Sequence, residues 1–225
     1  VRAALNAHAE TALEQGAMAG LPGSSVPLLD INGTRTDGSI TLRTANAKAL
    51  GATQVVVSQI PRQGALTLDD CKKAAADFNR FGVAMAKHGI RFAYHPHGFE
   101  FVKHADGTLF DELLRLTDPT LVDFQMDVFW FYHGGGDPVT YLEKHPSRFT
   151  TLHLKDMRKG EPAGITTGRA PNQTSVALGI GQLDFRAILR AAAKAGVKRY
   201  YIEDESPYAP FQVPVSQAYL RAVRF

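Results

Sequence analysis

A chain of 225 residues is long enough to bury one sizeable core and too short for two ordinary domains, so residues 1–225 are read as a single domain. Hydrophobic residues at 44% and charged residues at 21% describe a folded globular protein and exclude disorder or a fibrous repeat. The net charge of +3 comes from Lys and Arg spread along the chain without a basic stripe, which argues against nucleic acid as a partner.

The chain opens on Val1-Arg2-Ala3-Ala4-Leu5, without an initiator Met, in the pattern of a helix already under way and not of a signal peptide. Residues are therefore expected to be missing upstream. No apolar run approaches the roughly 18 residues of a membrane span, so no membrane partner is expected and the cytoplasm is the expected location, export staying open if the N-terminus is truncated. Ala9 to Ser39 fits no βα unit well, apart from a sixth candidate strand near Ser25 to Ile31.

From residue 43 onward helical patterns alternate with short β-branched or aromatic runs, the mark of βα units around a parallel sheet. Strands are predicted at Thr53 to Ile60, Arg91 to His97, Leu121 to Val128, Phe149 to Lys155 and Arg199 to Glu203. Helices are predicted at Leu68 to His88, Leu109 to Leu116, Pro138 to Lys144, Phe185 to Ala195 behind the N-cap Asp184, and Val215 to Val223. The first helix carries Cys71, the single cysteine, whose helical setting points to an inert thiol. Residues 158 to 183 have no clear periodicity, and a loop of that length in a compact domain is usually functional or mobile.

Charge gathers where the strands end, at Met126-Asp127, Leu152-His153-Leu154-Lys155 and Ile202-Glu203-Asp204-Glu205. In a (β/α)8 barrel those ends converge on one mouth, and the spacings of 30 residues from His97 to Asp127 and 26 from Asp127 to His153 each match one βα unit. A barrel needs eight strands, so the first one or two βα units are either absent from this chain or unread. Asp127, His153 and Glu203 form a mixed oxygen and nitrogen set suited to one Mn²⁺, Mg²⁺, Co²⁺ or Zn²⁺ ion. Any one of them alone reads more simply as a solvent-facing strand end. Three in register favour a metal, because an uncompensated buried charge is costly.

His95 and His97, at i and i+2 on an extended strand, point to the same face and can bind metal or carry protons, and Glu100 lies close enough in sequence to join them. Pro96 and Gly98 could equally make a turn that exposes both histidines. Lys155 could stabilise an enediolate with Asp156 holding it, or form a plain salt bridge. Phe129 and Trp130 could wall a sugar face or simply pack. Gly179 and Gly181 before a capped helix are a weak phosphate-binding signal, and Gly134-Gly135-Gly136 reads as a flexible loop.

The run Tyr94-His95-Pro96-His97-Gly98-Phe99-Glu100-Phe101 resembles the Tyr-His-Asn-His-x-Phe-Glu-Phe signature of the sugar phosphate isomerase/epimerases, a branch of the xylose-isomerase-like TIM barrels. Met126-Asp127-Val128-Phe129-Trp130, Leu152-His153-Leu154-Lys155-Asp156, Leu178-Gly179-Ile180-Gly181 and Ile202-Glu203 resemble further motifs of that family in consistent order, from about residue 43 to 206. The resemblance implies a metal held by Asp127, His153 and Glu203, with the fourth ligand open among His95, His97 and Glu100. Glu203, His97, His95 and Lys155 would be catalytic, and Trp130, Phe129 and Tyr94 would bind substrate. Ketose epimerases of the family carry a glutamate near the position of His95 and a histidine where this chain has Trp130, so the substrate need not be a free ketose.

The activity this implies is metal-dependent isomerisation or epimerisation of a sugar or sugar derivative by proton transfer next to a carbonyl. A dehydratase or lyase acting on a keto-inositol or 3-keto-glycoside needs only a different leaving group. A non-catalytic sugar-binding barrel is the third reading. The family's abasic-site endonucleases fit poorly, since they need more metal ligands and a basic face. A small-molecule sugar is the expected partner, and a homo-oligomer is left open.

Overall fold

The computed structural model describes residues 28–30, 47–48 and 51–225. Val1 to Leu5 and most of Ala9 to Ser39 lie outside them. In chain order the elements are β1 (Leu28–Asp30), β2 (Gln54–Val57), α1 (Leu68–Ala86), β3 (Arg91–Tyr94), a 3₁₀ turn (Phe99–Phe101), β4 (Lys103–His104), β5 (Gly107–Thr108), α2 (Leu109–Leu116), β6 (Val122–Asp127), α3 (Val128–Gly134), α4 (Pro138–Lys144), β7 (Phe149–Leu154), β8 (Asp156–Met157), β9 (Ser175–Val176), α5 (Phe185–Ala195), β10 (Arg199–Ile202) and α6 (Ala209–Ala222).

Local chemistry sets the helix starts. Thr67 and Asp70 make a reciprocal capping box at α1, and Thr108 and Asp111 make a second at α2. Asp137 caps α4 with Pro138 in its first turn, and Asp184 caps α5, which ends on Gly196 in the left-handed conformation.

Among the described residues the main sheet has six strands in the order β1-β2-β3-β6-β7-β10, every neighbouring pair parallel. Each crossover therefore adds its strand on the same side, which builds a continuous stretch of an α/β-barrel wall. The weak signal at Ser25 to Ile31 contains β1.

The pleat of this wall decides what reaches the site. On β6, Phe124 packs into an aromatic layer with Tyr94, Phe110 and Phe149, on the side the helices cover. Asp123, Gln125 and Asp127 alternate to the inner side. There Asp123 pairs with Arg91, Val56 and Ala93 form a small apolar layer with Tyr201, and the ionisable side chains gather above.

Two elements differ from the sequence reading. Phe129 and Trp130 belong to the short helix α3 and not to a strand end, because the carboxylate of Asp127 accepts from both of their backbone amides and starts a helical turn at the end of β6. The last helix begins at Ala209 and carries Pro214 inside it, a residue that normally interrupts a helix and so placed the expected start too late. No helix among the described residues is long and apolar enough to cross a membrane.

Candidate metal centre

Three successive strands of the wall, β3, β6 and β7, deliver His95, Asp127 and His153 to one point, where each offers a ligand atom within 4.8 Å of the others. All three side chains are buried. Nε2 of His95 stands 4.0 Å from Oδ2 of Asp127. The opposite nitrogen of His95, Nδ1, lies 2.8 Å from Oε1 of Gln125, and Nδ1 of His153 is hydrogen-bonded to the carboxylate of Glu203. Carbonyl and carboxylate partners behind an imidazole are the usual way a ligating histidine is oriented.

Asp127 divides its two oxygens between tasks. Oδ1 caps α3 through the amides of Phe129 at 2.8 Å and Trp130 at 3.1 Å, whereas Oδ2 is buried and accepts no hydrogen bond among the described residues. Burial, reinforced by the charge of Glu203, pushes the Asp127 carboxyl up to about 7. Burial also holds His95 well below the usual imidazole range, with His97 and His153 adding to the effect, so the ring is neutral and able to donate a lone pair. A neutral histidine beside an orphaned buried carboxylate oxygen is a donor set that fits a divalent cation.

Glu203, expected as a direct ligand, stands behind His153 in this arrangement. Burial would raise its carboxyl, but Lys155 and His153 outweigh that and keep it well below the usual range. Lys155 is itself only 2% exposed, with Nζ 3.5 Å from Glu203 and ion-paired with Glu205. Burial alone would discharge this lysine, yet the carboxylates of Glu203, Asp127 and Glu205 hold it cationic. Its ammonium lies 5.0 Å from the ring of Phe129 and 5.3 Å from that of Trp130, so these aromatic side chains flank the lysine. His97 completes the group, its ring 4.6 Å from that of His95 and 5.6 Å from that of Trp130, with Nδ1 buried and without a hydrogen-bond partner among the described residues.

Two residues expected at the site are turned away from it. Tyr94 is wholly buried on the helix side of β3, stacked on Phe78, because it alternates with His95 along the strand. Glu100 lies below, in the 3₁₀ turn, where its carboxylate accepts from the Tyr94 hydroxyl and from the backbone amide of His97, which leaves it no reach toward a cation. Asp156 does not hold Lys155. It accepts from the amides of Met157, Gly179, Gly181 and Leu183, so a side chain of this protein fills the glycine-rich turn that was a weak phosphate signal. A Cβ at Gly181 would lie 2.2 Å from Oδ1 of Asp156, which explains the glycine there. Gln125 and Glu205 were not singled out from the sequence.

The family model for the xylose isomerase-like TIM barrel matches residues 6–225. The chain belongs to that family. Among curated proteins, the inosose dehydratase of Mesomycoplasma hyopneumoniae strain 7448 is 35% identical over 127 residues, covering 50% of this chain and 41% of that enzyme. The inosose dehydratase of Clostridium tetani is 27% identical over 134 residues, covering 57% and 44%. The matched part is thus less than half the length of these relatives. Among solved structures, a sugar phosphate isomerase/epimerase from Parabacteroides distasonis superposes with a TM-score of 0.70 at 28% identity, over 86% of this chain and 72% of that one. The IOLI protein, solved with a bound zinc atom, shares the fold with a TM-score of 0.66 at 18% identity, over 86% and 74%.

Proposed function

We propose that His95, Asp127 and His153 hold one divalent cation, Mn²⁺, Mg²⁺, Co²⁺ or Zn²⁺, and that the site moves a proton next to the carbonyl of a polyhydroxylated ketone. The observation that carries this reading is the buried Oδ2 of Asp127, which accepts no hydrogen bond among the described residues and lies 4.0 Å from Nε2 of His95. Such an atom costs free energy unless a cation or proton meets it. The chemistry a cation supplies at this position is Lewis-acid stabilisation of the negative charge that gathers on the substrate oxygen.

The protein's own groups divide the remaining work. His97 is neutral, because burial lowers its basicity, and its Nδ1, without a hydrogen-bond partner among the described residues, makes it the acceptor for the proton on the carbon next to the carbonyl. Lys155, held cationic, donates a hydrogen bond to an oxygen of the substrate, while Phe129 and Trp130 exclude water from it. Glu203 orients His153 and balances the charge of Lys155.

The substrate we favour is a keto-inositol, and the reaction is loss of water. The carbon-hydrogen bond breaks with its proton passing to His97. The electron pair then returns to expel the hydroxyl group on the next carbon, which leaves as water after taking that proton. The inosose dehydratases among the relatives support this reading. Isomerisation or epimerisation of a sugar is the second reading, supported by the Parabacteroides distasonis neighbour, and shares the first proton transfer.

Calorimetric titration with Mn²⁺ or Zn²⁺ tests the site. One cation should bind per chain, and Asp127→Asn, which keeps an oxygen for the α3 cap, should weaken binding by about 10²-fold or more while remaining folded. Equal affinity in the parent and in Asp127→Asn contradicts the assignment.

A further inference from the structure

Resting on the cation site just proposed, we infer that Gln125 is a positioning residue that selects which nitrogen of His95 faces the cation. Gln125 is wholly buried, projects to the inner side of β6, and stands two positions before Asp127 on that strand. Its Oε1 lies 2.8 Å from Nδ1 of His95, while its Nε2 has no hydrogen-bond partner among the described residues.

A neutral imidazole carries one hydrogen, and the neighbour of one nitrogen decides the state of the other. With a carbonyl oxygen against Nδ1, the hydrogen sits on Nδ1 and Nε2 keeps its lone pair, 4.0 Å from Oδ2 of Asp127. With the amide reversed, the NH₂ group would donate to Nδ1. The ring hydrogen would then move to Nε2 and point at the place where a cation belongs.

The placement of Gln125 also restrains the ring. His95 follows the last residue of β3, beside His97 and His153, whose rings lie 4.6 Å and 4.7 Å from its own. Those neighbours could stack with the imidazole in more than one rotation. The bond to Gln125 ties Nδ1 to the adjacent strand β6, and so ties the direction of Nε2 to that of Asp127.

The role differs from that of a packing residue in one respect. A leucine at position 125 fills similar space and relieves the unpaired amide, so a merely structural glutamine could be replaced with little effect on His95. A positioning glutamine cannot, and a carboxylate at that position should restore the acceptor.

The test combines nitrogen NMR of the imidazole of His95 in the metal-free protein with titration by Zn²⁺ alone. The parent should show His95 with its hydrogen on Nδ1. Gln125→Leu should shift the ring toward the Nε2–H tautomer and bind Zn²⁺ about 10- to 100-fold more weakly, and Gln125→Glu should restore both the tautomer and the affinity. A parent whose His95 carries its hydrogen on Nε2 overturns the inference, and this measurement needs no variant to fold. It is equally overturned if Gln125→Leu binds Zn²⁺ as the parent does. A parent with the Nδ1–H tautomer that binds neither Zn²⁺ nor Mn²⁺ instead overturns the cation site on which the inference rests.

Discussion

Nδ1 of His153 on β7 donates to the carboxylate of Glu203, which follows the last residue of β10. The glutamate thus stands behind a histidine that faces Asp127. It is shared with Lys155, 3.5 Å away, and two positive or hydrogen-bearing neighbours keep it ionised despite its burial. Glu203→Gln keeps a carbonyl oxygen for His153 and removes the charge. It should weaken Mn²⁺ binding by roughly 10- to 100-fold, the usual cost of losing a partner behind a ligand. Calorimetry checks this against Asp127→Asn, and a loss as complete as in that variant would make Glu203 a direct ligand.

The strand ends were legible in the sequence because an apolar run that stops at an ionisable residue has few inexpensive explanations. Asp127 and His153 are candidates on that ground, and the structure brings them together with His95. The orientation of Tyr94 was legible too, since it directly precedes His95 along the strand and adjacent strand residues take opposite faces. What hid it was the motif, which treats the whole run as one unit. Helix α3 was obscured because Val128-Phe129-Trp130-Phe131 is as suited to a strand as to a helix, although Asp127 as a cap and Gly135 in the left-handed conformation bracket it. Gln125 was invisible, because its importance lies in contact with a histidine on the neighbouring strand.

Glu100 gives the fold a dependence on pH. Burial raises its carboxyl from 4.5 to about 7, against hydrogen bonds from Tyr94 and the amide of His97. Between those values the folded protein binds the proton more tightly than the unfolded chain. The contribution to stability is therefore full below about 4.5 and is lost as pH rises through about 7. Glu100→Gln, neutral throughout, should flatten this part of the profile. Urea midpoints at about pH 5 and about pH 7.5 measure the slope, and an unchanged slope in the variant would remove Glu100 as its source.

Asp156 holds the turn from Gly179 to Leu183 by accepting from the amides of Met157, Gly179, Gly181 and Leu183. Asp156→Ala leaves these donors to find other partners in a largely buried setting, and should cost about 2 to 4 kcal/mol of stability by chemical denaturation. A loss under about 0.5 kcal/mol, the range of ordinary surface substitutions, would mean that water replaces the carboxylate without penalty.

The most direct measurement of the central claim follows the hydrogen next to the carbonyl of a keto-inositol in deuterated water, by proton NMR, with the protein and Mn²⁺. A site that moves this proton should exchange it for deuterium, with loss of water following. EDTA should abolish the exchange, and His97→Ala should slow it by about 10²-fold or more. Binding of the keto-inositol with no exchange in the presence of Mn²⁺, or exchange undiminished in EDTA, would contradict the account.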